Sequence, residues 1–393
     1  MNTVSRVIRN TGFLYMKMGV TMFVSLYATR LVLNALGVDD FGIFNMVAGV
    51  IAMLAFLNAS MAAATQRFMS YAEGEGDPEK QKIVFNISVV LHLAIAVMVG
   101  ILLYAAAPIL FGHVLNIPED RVFAARCVYW AMIASTVFGI LGVPCEAMLN
   151  AHENMLYFAV IGVLESFLKL GAALLVVHVL ADKLVLYGVL MAGISILAMT
   201  AMLVYCRRNY AECVIAPRRY WKRGVFREMG SFAGWNFTVS ASSMLSEYGV
   251  GIVLNHFFGV ALNAAQAVAQ QINGQTMAFS GTMLKALNPV ISKSEGAGNR
   301  GLMLRASLSG CKFAYLLMAV FAIPLILEAP GLLGLWLHSV PAWAVLFCRL
   351  QLARTLLEQL FLSLGSAIYA EGNIRLYTLV KTGSGILFLG ATW

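Results

Sequence analysis

Ser70-Tyr71-Ala72-Glu73-Gly74-Glu75-Gly76-Asp77 recurs 222 residues further on as Ser292-Lys293-Ser294-Glu295-Gly296-Ala297-Gly298-Asn299. The shared frame is Ser-x-x-Glu-Gly-x-Gly followed by Asp or Asn, and it does not stand alone. Leu31-Val32-Leu33-Asn34 recurs as Ile252-Val253-Leu254-Asn255, each followed by a Gly-Val. Ala107-Pro108-x-Leu110-x-Gly112-x-x-Leu115 recurs as Ala329-Pro330-x-Leu332-x-Gly334-x-x-Leu337. Arg126 falls on Arg349, and Ala151-x-x-Asn154 falls on Ala370-x-x-Asn373. These anchors keep one order at offsets of 219 to 223 residues, so the chain holds two copies of one unit.

The anchors are separated by apolar runs. Of 393 residues, 60% are hydrophobic and 12% charged, more apolar surface than one soluble core could hide. A helix needs about 20 such residues to cross the hydrocarbon layer. The runs give spans at 10–33, 42–65, 84–108, 122–148, 155–181, 184–206, 229–254, 261–290, 306–327, 342–368 and 376–393. The expected fold is an all-α polytopic membrane protein of about eleven transmembrane helices with a cytoplasmic N-terminus. The repeat unit has six spans. Six is even, so both copies enter the membrane in the same sense, and their symmetry axis runs along the membrane normal. Secondary transporters with parallel repeats are built this way and move substrate by alternating access. The expected domains are a six-helix lobe at 1–206, a basic cytoplasmic linker at 207–227, and a second lobe at 228–393. Residue 393 corresponds to about residue 171, inside the fifth helix of the unit, so the second repeat is expected to be truncated.

Charge supports the same reading. The formal net charge is +8, which invites a nucleic-acid partner. Its distribution argues against one. With the N-terminus inside, the inner loops carry sixteen Lys and Arg, among them Arg67, Lys80, Arg207, Arg208 and the Arg218–Arg227 run, and the outer loops only Arg121 and Lys183. That is the positive-inside bias of a multi-pass protein, and the basic linker suits anionic headgroups. The first span is too long and too polar at its flanks for a cleaved signal peptide. Cys127, Cys145, Cys206, Cys213, Cys311 and Cys348 are scattered, without a C-x-x-C pair, so neither a metal site nor a disulfide framework is expected. Glu73-Gly74-Glu75-Gly76-Asp77 lacks the Lys-Ser/Thr of a phosphate loop. No cofactor is expected, and energy must come from a gradient or from downstream consumption of the cargo.

Thr29-Arg30-Leu31-Val32-Leu33-Asn34-Ala35-Leu36-Gly37-Val38-Asp39-Asp40-Phe41-Gly42-Ile43-Phe44-Asn45 resembles the first loop of polysaccharide-type flippases, and Ala64-Thr65-Gln66-Arg67-Phe68 fits too. These flippases belong to the multidrug/oligosaccharidyl-lipid/polysaccharide (MOP) exporter superfamily, which includes the MATE transporters. The likeness covers the whole chain, most closely residues 1–160, and is nearest the Wzx-type branch of O-antigen and lipopolysaccharide biosynthesis. The resemblance implies an undecaprenyl-diphosphate-linked oligosaccharide as cargo, moved from the cytoplasmic to the periplasmic leaflet of the bacterial inner membrane. It also implies membrane lipids as partners, with the polysaccharide polymerase and glycosyltransferases of the same pathway. Relatives have twelve to fourteen helices.

A charge within the hydrocarbon costs about 2.5–3.5 kcal/mol or more, so each one needs a reason. Nine basic residues (Lys17, Arg30, Arg126, Lys169, Lys285, Lys312, Arg349, Arg354 and Lys381) stand against four acids (Glu146, Glu165, Glu247 and Glu358). That sign suits an anionic cargo. Glu165 with Lys169, and Arg354 with Glu358, are four apart and share a face, as self-neutralised pairs or as cavity groups. Arg126 and Arg349 suit snorkelling to the interface. Lys17, Arg30 and Lys285 have no acid at helical spacing and are the candidates to hold the diphosphate; the family's central cleft lies beside their helices. Gln266, Gln270, Asn273, Met277, Ser280, Leu284 and Asn288 recur at helical spacing on the eighth helix. So many amides cannot face lipid. They either bind sugar hydroxyls in a cavity or hold helices together. Glu247 has no base four residues away and is the candidate for proton or cation coupling.

Two other functions compete. A cation-coupled multidrug antiporter of the same superfamily shares the plan, although its cavity should favour acids. A membrane glycan polymerase or ligase needs a large outer loop with catalytic groups, and the outer loops near 109–121 and 328–341 are short. The expectation is therefore a transporter and not an enzyme.

Overall fold

The structure is a computed structural model, and it describes residues 3–52, 54–115, 117–258, 260–337 and 340–392. Among these residues the regular elements are all helical. They run α1 (Thr3–Ala52), α2 (Ala55–Glu75), α3 (Pro78–Ile109), α4 (Val122–Ala151), α5 (Met155–His178), α6 (Lys183–Asn209), α7 (Arg223–Phe258), α8 (Val260–Gly296), α9 (Arg300–Leu327), α10 (Ala329–Trp336), α11 (Ala344–Gln359), α12 (Leu362–Glu371) and α13 (Arg375–Thr392). The described part of each of the eleven expected stretches is largely helical. Among the described residues, seven helices are long and apolar enough to cross a membrane, and the first of them, Ser5–Ala52, covers the first stretch and the beginning of the second.

Two spans that the sequence reads as single rods are not. The second, 42–65, begins in α1 and continues in α2 from Ala55. The tenth, 342–368, is divided between α11 and α12. At that break Leu360 N–H donates to Leu357 and Phe361 N–H to Glu358, at 3.2 and 3.1 Å, so three-residue bonds replace the four-residue ladder. Neither glycine nor proline marks the spot. Within α1, Gly37 takes φ 79° and ψ 175°, which kinks the helix between the first two spans. Only glycine adopts that backbone without strain.

The repeat is written into the backbone. Gly76 and Gly298 both have φ 71°. The next residue caps a helix in each copy. Asp77 accepts from the Glu79 and Lys80 amides at 2.9 and 3.1 Å, and Asn299 from the Leu302 amide at 3.0 Å. Glu153 and Gly372, again equivalent, have φ 56° and φ 96°. Glutamate in that region costs about 1–2 kcal/mol, and Asn10 helps hold it by donating to the Glu153 carbonyl at 3.1 Å. The copies differ after the Ala-Pro anchor. Pro108 lies in the last turn of α3, which runs on into a π-helical turn at Leu110–Val114, whereas Pro330 opens α10.

The chain divides into two compact units. The first takes Ile8–Ala72 and Asp77–Gly230, and the second Met1–Val7, Glu73–Gly76 and Ser231–Trp393. Two short segments of the first repeat thus fall in the second unit, and their contacts say why. Val7 packs against Leu287, Ile291, Met303, Ala367 and Ala370. Glu73 pairs with Lys293 at 3.0 Å.

The first unit is centred on Tyr129 of α4, fully buried, whose hydroxyl donates to Leu103 O at 2.6 Å. Phe111 meets its ring edge-on at 5.5 Å. Arg121, which precedes α4, clasps two other segments. Its Nε donates to Asp40 at 2.8 Å and its Nη1 to Asp182, the N-cap of α6, at 2.9 Å. Burial opposes ionisation of Asp182, but the Arg121 guanidinium and the Val185 and Leu184 amides outweigh it and hold the carboxyl below its usual range. The second unit packs α8, α9, α11 and α12 around Ile291, Met303, Ala314, Met318 and Leu352.

Candidate functional site

Lys17 lies on α1 and reaches α5. Its Nζ stands 3.8 Å from the centre of the Phe158 ring, a cation–π distance. Its stem occupies the space that Gly162 leaves empty, where a Cβ would come within 2.7 Å of Nζ and 3.1 Å of Cδ. The cation is therefore held in one place inside the first unit, half-buried.

Arg30 does not join it. Thirteen residues of helix separate the two by about 20 Å along the axis and turn them to opposite sides. Arg30 is exposed. One diphosphate cannot be gripped by both. Lys285 is half-buried on α8, in the second unit.

Both local ion pairs form. Lys169 Nζ meets Glu165 at 2.7 Å, and Arg354 Nε meets Glu358 at 2.8 Å. In each, one partner at least is largely exposed, and the pair presents little net charge to its surroundings. Arg349 reaches the end of α9, where its Nε donates to Ile326 O at 2.9 Å and its Nη2 to Leu327 O at 3.4 Å. Its repeat-mate Arg126 stacks over Phe111, just past the end of α3, at 5.5 Å. Arg349 thus serves the preceding helix terminus, where the carbonyls favour a cation, whereas Arg126 meets an aromatic ring there. The side chain of Glu247 lies outside the described residues.

The polar stripe of α8 runs along α11 and α12. Thr355 Oγ1 donates to Asn273 at 2.6 Å, Gln359 Nε2 to the Met277 sulfur at 3.3 Å, and Ser366 Oγ to Asn288 at 2.7 Å. Ser280, Thr355, Gln359 and Ser363 are fully buried beside this ladder. Of the two readings open from the sequence, helix-to-helix bonding accounts for Asn273, Met277 and Asn288. Gln266 and Gln270 sit half-buried on the same stripe. The amides that open outward are Gln271 and Gln275. With Phe279, Phe321, Leu332 and Trp336 they line a groove of about 640 Å³ among α8, α9 and α10. In a background stripped of native cysteines, cysteine at 273, 277 or 288 is expected to resist a water-soluble maleimide. Cysteine at 275 is expected to react. Rapid labelling at 273 would show the stripe open to a cavity instead.

Three residues of the scattered cysteine set come together. Cys206 Sγ donates to Cys145 O at 3.6 Å, and the Cys145 thiol contacts that of Cys213. All three are buried. Sequence spacing gave no sign of this, because the three sit on α4, α6 and the linker. Among the described residues no three His, Cys, Asp or Glu side chains are placed to hold a metal ion. His92, fully buried on α3 with Nδ1 2.8 Å from Ser88 O, is another polar group that motif reading passes over.

The family model described as "Polysaccharide biosynthesis protein" matches residues 7–295, well over half of the chain. The chain belongs to this family. Among curated proteins none matches the sequence. Solved structures match across 98% of this chain. A multidrug-resistance MATE family transporter of the MOP superfamily, in an outward-facing conformation, superposes with a TM-score of 0.76 at 16% identity over 84% of its own length. A mutant of the Vibrio cholerae MATE transporter VcmN gives 0.76 at 18% identity and 87% coverage. A MOP-superfamily transporter from Pyrococcus furiosus, described as having a binding pocket of reverse polarity that suggests a different function, gives 0.69 at 15% identity and 96% coverage. This member of the polysaccharide biosynthesis family therefore has the fold of the MOP-superfamily MATE transporters, and its long apolar helices make it a multi-pass membrane protein.

Proposed function

We propose that the protein flips an undecaprenyl-diphosphate-linked oligosaccharide across the bacterial inner membrane for surface polysaccharide assembly, by alternating access of its two lobes. The observation that carries the reading is the match to the polysaccharide biosynthesis family over residues 7–295. The intramembrane charge balance supports it, because nine bases against four acids favour a diphosphate over a cationic drug. Lys17 is the phosphate contact of choice, since Phe158 and Gly162 hold its ammonium in place. Arg30 and Lys285 would meet the cargo elsewhere on its path. Gln266 and Gln270 are the amides for its sugars, with Glu247 as the coupling acid. The polymerase and glycosyltransferases of the pathway would supply and consume the cargo.

The MATE-type fold favours one alternative, a cation-coupled multidrug antiporter. Reconstitution separates the two. In proteoliposomes holding a fluorescent undecaprenyl-diphosphate oligosaccharide, the full chain is expected to bring the inner-leaflet half within reach of an external reagent. Cationic drug uptake driven by a proton or sodium gradient is expected to stay at the level of empty liposomes. Drug uptake without flipping would overturn the proposal.

A further inference from the structure

The segment joining α6 to α7 is not a slack tether. It is fixed at several points within the first unit. Asn86 of α3, itself buried, donates from Nδ2 to Val214 O at 2.8 Å and accepts the Ala216 amide on Oδ1 at 2.7 Å. That double bond to one side chain copies a strand pairing and holds the backbone of 214–216. Asn154 donates to the hydroxyls of Tyr205 and Tyr210 at 2.7 and 3.0 Å. The Tyr210 ring stacks on His152, centres 4.2 Å apart and nearly parallel. His152 also pairs with Glu212.

These contacts sort the side chains of the segment. Glu212, the one acid between residues 207 and 227, is turned inward and buried. Cys213 is buried behind it. What remains outside is of two kinds. Val214, Ile215 and Trp221 are each more than 40% exposed. Arg207, Arg208, Arg218, Arg219, Lys222 and Arg223 are exposed around them. The segment leaves one apolar span, Lys183–Asn209, and enters the next, Arg223–Phe258, so it lies at the level of the membrane surface.

We propose that residues 207–223 form a preformed docking surface for the anionic phospholipid headgroups of one leaflet. Val214, Ile215 and Trp221 enter the headgroup layer, and the six cations pair with lipid phosphates. Three features point to a bilayer surface and not to a protein. The cations are spread along the segment, with no acid left outside among them. The apolar side chains sit singly between them and make no groove. A tryptophan at the end of a span is the residue that headgroup layers favour. Because the backbone of residues 210–216 is already fixed, little ordering entropy of that part opposes binding. Each cation near an anionic surface contributes about a fivefold factor to association. The inference rests only on α6 and α7 spanning a membrane and is independent of the cargo.

The test uses the full chain in nanodiscs, with amide hydrogen exchange over residues 217–223 as readout. In discs containing phosphatidylglycerol, exchange is expected to be at least tenfold slower than in phosphatidylcholine alone. In 1 M salt, where the screening length falls to about 3 Å, the difference is expected to vanish. Quenching of fluorescence by brominated lipid is expected to drop in Trp221→Phe. A variant carrying Arg218→Gln, Arg219→Gln, Lys222→Gln and Arg223→Gln is expected to exchange alike in both lipids. Equal exchange of the wild type in both lipids would overturn the proposal, and needs no variant to fold. Equal protection by free inorganic phosphate in neutral discs would also overturn it, by assigning the cations to a soluble anion. Neither result bears on whether the protein flips an oligosaccharide.

Discussion

Gly74→Val is expected to lower the melting temperature of the detergent-solubilised protein by about 1–4 °C and to abolish the proposed transport. A Cβ on Gly74 would stand 2.8 Å from the carbonyl carbon of Lys293 and 2.9 Å from its Cα, with the carbonyl oxygen nearer still. The obstacle is backbone, which cannot swing aside as a side-chain tip can. Beside it, Lys293 Nζ and Glu73 are 3.0 Å apart, so a forced separation breaks that pair too. Overpacking of this kind costs about 1–3 kcal/mol, and at the usual unfolding entropy per residue each kcal/mol moves the midpoint of a chain of this size by about 1 °C. Gly301→Ala is the control, since its Cβ would meet nothing closer than 3.8 Å. Thermal unfolding followed by intrinsic fluorescence checks both. A wild-type midpoint for Gly74→Val would show that the loop does not rest on α8 as described.

Lys17→Glu is expected to reduce flipping of the lipid-linked oligosaccharide by more than tenfold, and Lys17→Met by about tenfold, the equivalent of about 1.4 kcal/mol of cargo binding. The geometry supplies a finer test. Gly162→Ala leaves every charge in place but fills the slot for the Lys17 stem. The lysine tip can move, so the fold is expected to survive while the ammonium leaves its station over Phe158. If Lys17 positions a phosphate, Gly162→Ala should raise the apparent KM for the cargo with the maximal rate nearly kept. Full-rate flipping by Lys17→Glu and Lys17→Met at wild-type expression would remove Lys17 from the mechanism.

Much of the fold is local and was therefore legible in order along the chain. The spans show as runs of apolar residues, and the repeat shows because caps and turns need particular residue types. Gly76 and Gly298 are there for a positive φ, and Asp77 and Asn299 for free amides at helix starts. Other features have no local signature. The break at Leu360 lies in an apolar run and carries no proline or glycine. Arg121 was legible only as an outer-loop charge, because its partners Asp40 and Asp182 are 81 and 61 residues away. Arg30 is a different case. Helical rise alone separates it from Lys17, a limit that follows from the sequence once both residues are projected onto one helix.

The repeated loop with which the chain announces itself illustrates the division. By itself the sequence determined that Glu73-Gly74-Glu75-Gly76-Asp77 and Glu295-Gly296-Ala297-Gly298-Asn299 are equivalent turns between helices, since backbone angle and capping depend on a residue and its nearest neighbours. Only the tertiary structure decided that residues 73–76 pack within the second unit, against Lys293. It likewise decided that the α8 amides bond to α11 and α12, and that Cys145, Cys206 and Cys213 meet. Those outcomes depend on which helix faces come together across long stretches of chain, and one helix surface with polar groups at the right spacing is compatible with several partners.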